Sequence, residues 1–183
     1  METGWCVWVT GLPGSGKSVI SHALIRLLNG KSINAQILSS DSLRKVLTPT
    51  PSYSLEERDT VYEALAYIAS LLVQNGVNVI VDATANLRRY RDRLRVQVPK
   101  FIEVYVECPM DECMKREAKR KETYHAPTQI YSKALEGKSQ TVPGVGQPYE
   151  APLSPEVTVS SFQSSPEQAA QKILDAILAL KKE

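Results

Sequence analysis

The sequence predicts an α/β fold, a mainly parallel sheet with helices on both faces, and three observations carry that prediction. Short apolar runs alternate along the chain with longer segments of helical periodicity. The runs carry apolar residues on both faces, as strands covered on both sides do. The first of them passes straight into a glycine-rich turn, Gly11-Leu12-Pro13-Gly14-Ser15-Gly16-Lys17-Ser18, that opens a helix. A length of 183 residues with net charge +2 fits a single domain, 1–183, with a substantial core.

The elements follow in order. Trp5-Cys6-Val7-Trp8-Val9-Thr10 is the first strand, and Val19, Ile20, Ala23, Leu24, Leu27 and Leu28 recur at helical spacing after the turn. Ala35-Gln36-Ile37-Leu38 is the second strand, leading through Ser39-Ser40-Asp41 to a short helix from Ser42 to Leu47 that the Thr48-Pro49-Thr50-Pro51 segment breaks. Ser54-Leu55-Glu56-Glu57 reads as a capping box, Ser54 accepting from the backbone three residues on and Glu57 reaching back. The helix it opens runs to about Asn75, with Val61, Leu65, Ile68 and Leu72 on the buried stripe, and Gly76 stops it. Val77 to Val81 is the third strand, ending in Asp82, and Leu87 to Val98 is a helix closed before Pro99. Phe101 to Glu107 is the fourth strand, followed by a helix from Asp111 to about Lys121. Val157-Thr158-Val159-Ser160 is the last strand, and Ser165 caps a final helix with Pro166 at its first position.

Between these lies a stretch rich in Pro and Gly, from Glu122 to Glu156, too long for a plain connection in a compact domain. With the basic residues before it, it reads as a lid and substrate loop over about 116–156. No apolar run approaches the roughly 18 residues that span a bilayer. No secretion signal is visible, and the odd count of cysteines, Cys6, Cys108 and Cys113, reads as reduced packing residues, so a cytoplasmic protein without a membrane partner is expected.

The turn from Gly11 to Ser18 is a complete G-x-x-x-x-G-K-[ST] phosphate-binding loop. Gly11, Gly14 and Gly16 let the backbone turn closely enough for successive N–H groups to face phosphate oxygens, and the helix N-terminus favours an anion. Leu12, Pro13 and Ser15 complete that cradle, Lys17 reaches the β and γ phosphates, and Ser18 offers its hydroxyl to Mg²⁺. The fold is therefore a three-layer phosphate-loop NTPase fold with ATP and Mg²⁺ as cofactors. Ligands of such sheets bind at the carboxyl ends of the strands, which brings the loop, Asp41, Asp82 and the segment after Glu107 to one edge.

At that edge Asp41 can hold Mg²⁺ or accept the proton of an attacking hydroxyl, and Arg44, one turn on, can hold an anionic substrate. The alternative for Asp41 is a cap on the helix from Ser42. Asp82 ends its strand in the manner of the acidic residue that supports Mg²⁺ in such enzymes. Arg116 or Arg120, in the basic cluster before the long loop, is placed to neutralise charge on a transferring phosphoryl group. Arg88, Arg89, Arg91, Arg93 and Arg95 read as a solvated face and not as a nucleic-acid surface. His22 and His125 stand too isolated to serve as ligands or bases.

These residues together resemble the adenylylsulfate kinase family over most of the chain. The resemblance rests on Gly11–Ser18, on Asp41 and Arg44, on Tyr53-Ser54-Leu55-Glu56-Glu57-Arg58, and on Phe101 to Pro109. Its most specific part is Ile130-Tyr131-Ser132-Lys133-Ala134-Leu135-Glu136-Gly137 followed by Gly144 to Pro152. It implies transfer of the ATP γ-phosphate to the 3′-hydroxyl of adenosine 5′-phosphosulfate with Mg²⁺, in a homodimer. Asp41, Arg44, Arg58 and Asn86 would meet the substrate and Ser18, Asp41 and Asp82 the metal. The chain departs from the family where it has Ala85-Asn86 for a Ser-Pro pair, Val61 for an asparagine, and Gln140 and Val142 for the Lys and Phe that stack on the substrate's adenine. An insertion also occupies about Lys121 to Gln129. These departures leave open a kinase for a different hydroxyl acceptor, small molecule or polynucleotide 5′ end, and a nucleotide-dependent regulator.

Overall fold

The computed structural model describes residues 3–180. Five strands, β1 (Cys6–Thr10), β2 (Gln36–Ser39), β3 (Val79–Asp82), β4 (Phe101–Glu107) and β5 (Val157–Ser160), form one parallel sheet in the order β2-β3-β1-β4-β5. Seven helices complete the described chain: α1 (Lys17–Asn29), α2 (Ser40–Leu47), α3 (Leu55–Gln74), α4 (Arg88–Arg95), α5 (Met110–Lys119), α6 (Ile130–Leu135) and α7 (Pro166–Ala179).

The alternation of side chains along β1 divides the core into two layers. Val7 and Val9 pack with Ile20, Leu24, Leu28, Ile173 and Leu174 from α1 and α7. Cys6 and Trp8 pack on the other face with Tyr62, Leu65, Ala69, Tyr90 and Leu94 from α3 and α4. A smaller third cluster joins Cys108, Cys113, Tyr131 and Val142, with Leu12 and Met110 against it. The three cysteines are free and buried. Among the described residues no helix is long and apolar enough to cross a membrane.

Several local expectations shift. The buried stripe of α3 runs through Val61, Leu65, Ala69 and Val73, leaving Ile68 and Leu72 half-buried. The expected capping box at α3 does not close, whereas α7 has a complete one, Ser165 and Gln168 exchanging both bonds. At α3 Ser54 accepts from Glu57 N as expected, but the Glu57 carboxylate turns to the N–H and hydroxyl of Ser52, to the N–H of Tyr53 and to Arg44. The long loop carries a helix of its own, α6, which its Pro and Gly content obscured.

The largest correction concerns α4. Its arginines are only in part a solvated face: Arg89 and Arg93 are exposed as expected, whereas Arg88 and Arg95 are half-buried. Arg91 is fully buried, donating from Nε to Glu103 at 2.6 Å, from Nη2 to the Glu150 carbonyl at 2.7 Å, and from Nη1 to the Ala85 carbonyl. Arg95 joins Glu103 at 3.0 Å and also pairs with Glu156, while Arg88, Arg89 and Arg93 pair with Glu150, Asp59 and Glu63. Residues that read as a charge run in one dimension are matched by acids from α3, β4 and the substrate loop. Replacing Arg91 by Met leaves Glu103 buried with only one partner and should lower the unfolding free energy by about 3–5 kcal/mol. Urea titration measures this, and a loss below about 1 kcal/mol would show that the pair carries no structural weight.

Candidate active site

The parallel register assembles the site. Val9 stands opposite Asp82, and Asp82 opposite Ser39, so the ends of β1, β3 and β2 deliver the phosphate loop, Asp82 and Asp41 to one edge. There they border a cavity of about 480 Å³ closed by Arg116, Arg120 and the segment from Glu122 to Thr128. The turn requires its glycines. Gly14 has φ +80°, and a Cβ there would lie 2.4 Å from the Cys113 carbonyl; Gly16 has φ +100° and caps α1 without a side chain.

Lys17 opens α1 and is buried, its Nζ donating to the Leu12 carbonyl at 3.0 Å. Burial holds its pKa below the usual lysine value, against the opposing charges of Asp82 and Asp41. Asp82 is pushed above the usual carboxylate range by burial, offset by Lys17 and by a hydrogen bond from the Ser18 hydroxyl. Asp41 is raised by burial and then by the charge of Asp82, with Lys17, Arg44 and Arg120 pulling it back. Asp41 is not the cap of α2, because Ser39 fills that role by accepting from Ser42 N at 3.4 Å. Among the described residues no group of three or more His, Cys, Asp or Glu could hold a metal alone. The donors fit Mg²⁺, which takes one hydroxyl, one or two carboxylates, water and phosphate oxygens. Two buried carboxylates, both raised by burial and Asp41 further by the charge of Asp82, supply the electrostatic demand for a cation.

The other expected residues divide into those at the cavity and those behind it. Arg116 is fixed beside Gly16, donating to Glu112 at 2.9 Å, to Ser161 Oγ at 3.1 Å and to the Ser161 carbonyl at 3.0 Å. Arg120 donates to the Pro127 carbonyl, faces Glu117 at 3.7 Å, and leaves its buried Nε without a partner. Arg44 pairs with Glu57 and lies over the Tyr53 ring at 4.9 Å. Arg58 is buried and donates to the Tyr53 carbonyl at 3.0 Å, to Asn86 Oδ1 at 3.3 Å and to the Thr141 carbonyl. Asn86, expected at the substrate, stands behind the wall: it accepts from Arg58 and donates to the Pro148 carbonyl at 3.0 Å, so it orients Arg58. Leu12 packs into the third cluster, and the hydroxyl of Ser15 is buried without a partner. Gln140 gives its carbonyl to Gln147 Nε2 at 3.3 Å, Val142 forms part of the cavity wall, and Val61 is core.

Tyr53 received no role from the sequence, yet its ring meets both guanidiniums, Arg44 at 4.9 Å and Arg58 at 5.9 Å, from a backbone with φ +56°, strained for a residue with a side chain. The aromatic directly before the Ser54 cap was its signal. Ser161 was likewise missed, since a serine past a strand end announces nothing until Arg116 reaches it.

Comparison with known proteins decides the family. The family model described as adenylylsulphate kinase matches residues 3–160. The chain belongs to the adenylylsulphate kinase family. An adenylyl-sulfate kinase of Picosynechococcus is 33% identical over 177 residues, covering 97% of this chain and 95% of the relative. A probable bifunctional SAT/APS kinase of Sorangium cellulosum is 34% identical over 172 residues, and there the chain spans 28% of the relative's length. A structure of the Mycobacterium tuberculosis APS kinase in complex with AMPPNP and APS superposes with TM-score 0.85 at 30% identity, over 97% of this chain and 99% of that one. The fold and the phosphotransferase class expected from the sequence are those of this family.

Two outcomes follow from the site's charges. Lys17→Ala should leave the fold intact and cut turnover about 10²–10³-fold, because a charged donor aimed at the transferring phosphate is lost. Steady-state kinetics with circular dichroism checks this; near-native turnover would exclude Lys17 from catalysis. Asp41→Asn should reduce turnover by at least about a hundredfold. Its folded pKa is raised, so the ionised carboxylate costs stability, a cost that grows as pH rises from the unfolded-state value through the folded one and persists above. The amide therefore raises the melting temperature at pH 7 and has no such effect at pH below the unfolded-state value. A variant less stable at pH 7 would mean that the carboxylate is structural.

Proposed function

We propose that the chain transfers the γ-phosphoryl group of ATP to the 3′-hydroxyl of adenosine 5′-phosphosulfate. One observation carries this: Lys17, Ser18, Asp41 and Asp82 meet at the phosphate loop in the same cavity that Arg44, Tyr53 and Arg58 border. The relatives named adenylyl-sulfate kinase, and the related structure holding AMPPNP and APS, support the choice of acceptor.

In this reading the backbone from Gly11 to Ser18 cradles the phosphates, and Lys17 turns from the Leu12 carbonyl to the β–γ bridge. Asp41 accepts the proton of the 3′-hydroxyl as its oxygen bonds to the γ-phosphorus. The bond from that phosphorus to the bridging oxygen breaks, and ADP departs with its charge met by Lys17, Arg116 and Arg120. Ser18, Asp41 and Asp82 would hold Mg²⁺, which supplies neutralisation of the phosphate oxygens. Arg44 and Arg58 face the acceptor's anionic group, with Asn86 setting the angle of Arg58. Catalysis is then positioning and electrostatics. We read 116–156 as the lid and substrate loop of a single domain, and the chain as a cytoplasmic homodimer, for which Tyr67 and Leu71, exposed one turn apart on α3, offer surface.

A second reading, a related kinase with another hydroxyl acceptor, is favoured by Val142 and Gln140, which give adenine no aromatic face in the substrate loop. Labelled ATP and Mg²⁺ offered with adenylylsulfate, nucleosides, sugars and 5′-hydroxyl oligonucleotides tests both. Label on adenylylsulfate, abolished by excess chelator, is expected. Transfer to another acceptor with none to adenylylsulfate overturns the first reading.

A further inference from the structure

The crown of the phosphate loop is held from the substrate loop. Leu12 and Pro13 both give their carbonyls away: that of Leu12 to Lys17 Nζ at 3.0 Å, that of Pro13 to the hydroxyl of Tyr131 at 2.7 Å. Tyr131 belongs to α6, is buried, and packs in the third cluster with Cys108, Cys113 and Val142 against Leu12 and Met110. Val142 in turn begins a tight turn, its carbonyl accepting from the amides of Val145 at 3.2 Å, Gly146 at 2.9 Å and Gln147 at 3.0 Å. At Gly144, with φ +89°, a Cβ would stand 2.3 Å from Met110 Cε and 2.9 Å from Leu12 Cδ2. No slack separates that turn from the phosphate loop, although residues 144–147 do not line the cavity.

We propose that Tyr131 is a positioning residue that couples nucleotide binding at the phosphate loop to ordering of the 142–147 turn. Once Lys17 serves the phosphates, the crown keeps its shape through the Tyr131–Pro13 bond and the contact of Leu12 with the cluster. A phosphate loop fixed by nucleotide then fixes Tyr131, and through Val142 the turn that follows. Ordering one element lowers the cost of ordering the next, which is positive coupling without a rearranged fold. A residue that served packing alone would need only its ring.

Hydrogen exchange followed by NMR, with AMPPNP and Mg²⁺ and no acceptor, tests this independently of which acceptor the enzyme uses. At saturating nucleotide the wild-type amides of Val145, Gly146 and Gln147 should exchange more slowly than in the nucleotide-free protein. Tyr131→Phe keeps the ring and should keep the fold, bind AMPPNP about three- to tenfold more weakly, and lose that slowing. Tyr90→Phe, which removes a hydroxyl bond of 2.6 Å to Asp59 away from the loop, should retain it. Slowing that persists in Tyr131→Phe, or is absent from the wild type, overturns the proposal.

Discussion

Lys17 lies buried against Asp82 and Asp41, whose charges favour its ammonium, and its charge in turn favours both carboxylates in a site where burial disfavours every ion. Neither side is comfortable alone. The positive charge is held below its ordinary pKa by burial, and the two acids are held above theirs by burial and, for Asp41, by its neighbour. Three charges with net −1 at the mouth of a phosphate loop favour an additional cation, and nucleotide phosphates bring the anions that such a cation bridges. The parallel sheet sets this arrangement, since β1, β2 and β3 pair in register and bring Asp82 and Ser39 beside the strand that leads into the phosphate loop. Stability is spent on poise, as is common where a site must act on charge.

The acceptor side is held by a different principle, a chain of hydrogen bonds that begins far from the cavity. Glu103 on β4 fixes Arg91, and Arg91 fixes the carbonyls of Ala85 and Glu150. Ala85 is left-handed at φ +41°, a conformation that persists because its N–H donates to the Tyr62 hydroxyl at 3.1 Å while Arg91 takes its carbonyl. That strained residue presents Asn86 to Arg58. The departure from the Ser-Pro pair is thus built into the framework: the asparagine amide satisfies a buried guanidinium that has no carboxylate partner among the described residues and whose pKa burial depresses.

The fold was legible because its signals are local or periodic. Runs apolar on both faces, the Gly11–Ser18 turn, the Ser165-Pro166 cap and the strand-ending Asp82 each name their own surroundings, and the sheet edge that unites Asp41, Asp82 and the turn follows from topology. The family, too, could be read from short motifs. What the sequence concealed are pairings between distant segments. Arg91 looks like its four neighbours on α4 until β4 supplies Glu103; Asn86 looks like a ligand until Pro148 and Arg58 take both ends of its amide; Glu57 leaves its own capping box for a set of partners that includes Arg44, Ser52 and the Tyr53 N–H. Tyr53 was hidden because its value lies in an unusual backbone angle, which no composition records.

Asp41 and Asp82 are raised carboxylates, the first partly through the charge of the second, kept ready for a cation. A ¹³C NMR titration of the aspartate side-chain carboxyls, with assignments from Asp41→Asn and Asp82→Asn, measures this directly. Both groups should titrate above the ordinary carboxylate range in the free protein, Asp41 should fall when Asp82 is replaced by its amide, and both should shift down on addition of AMPPNP with Mg²⁺. Two independent titrations in the ordinary range, unmoved by the partner substitution or by the nucleotide and metal, would contradict the account.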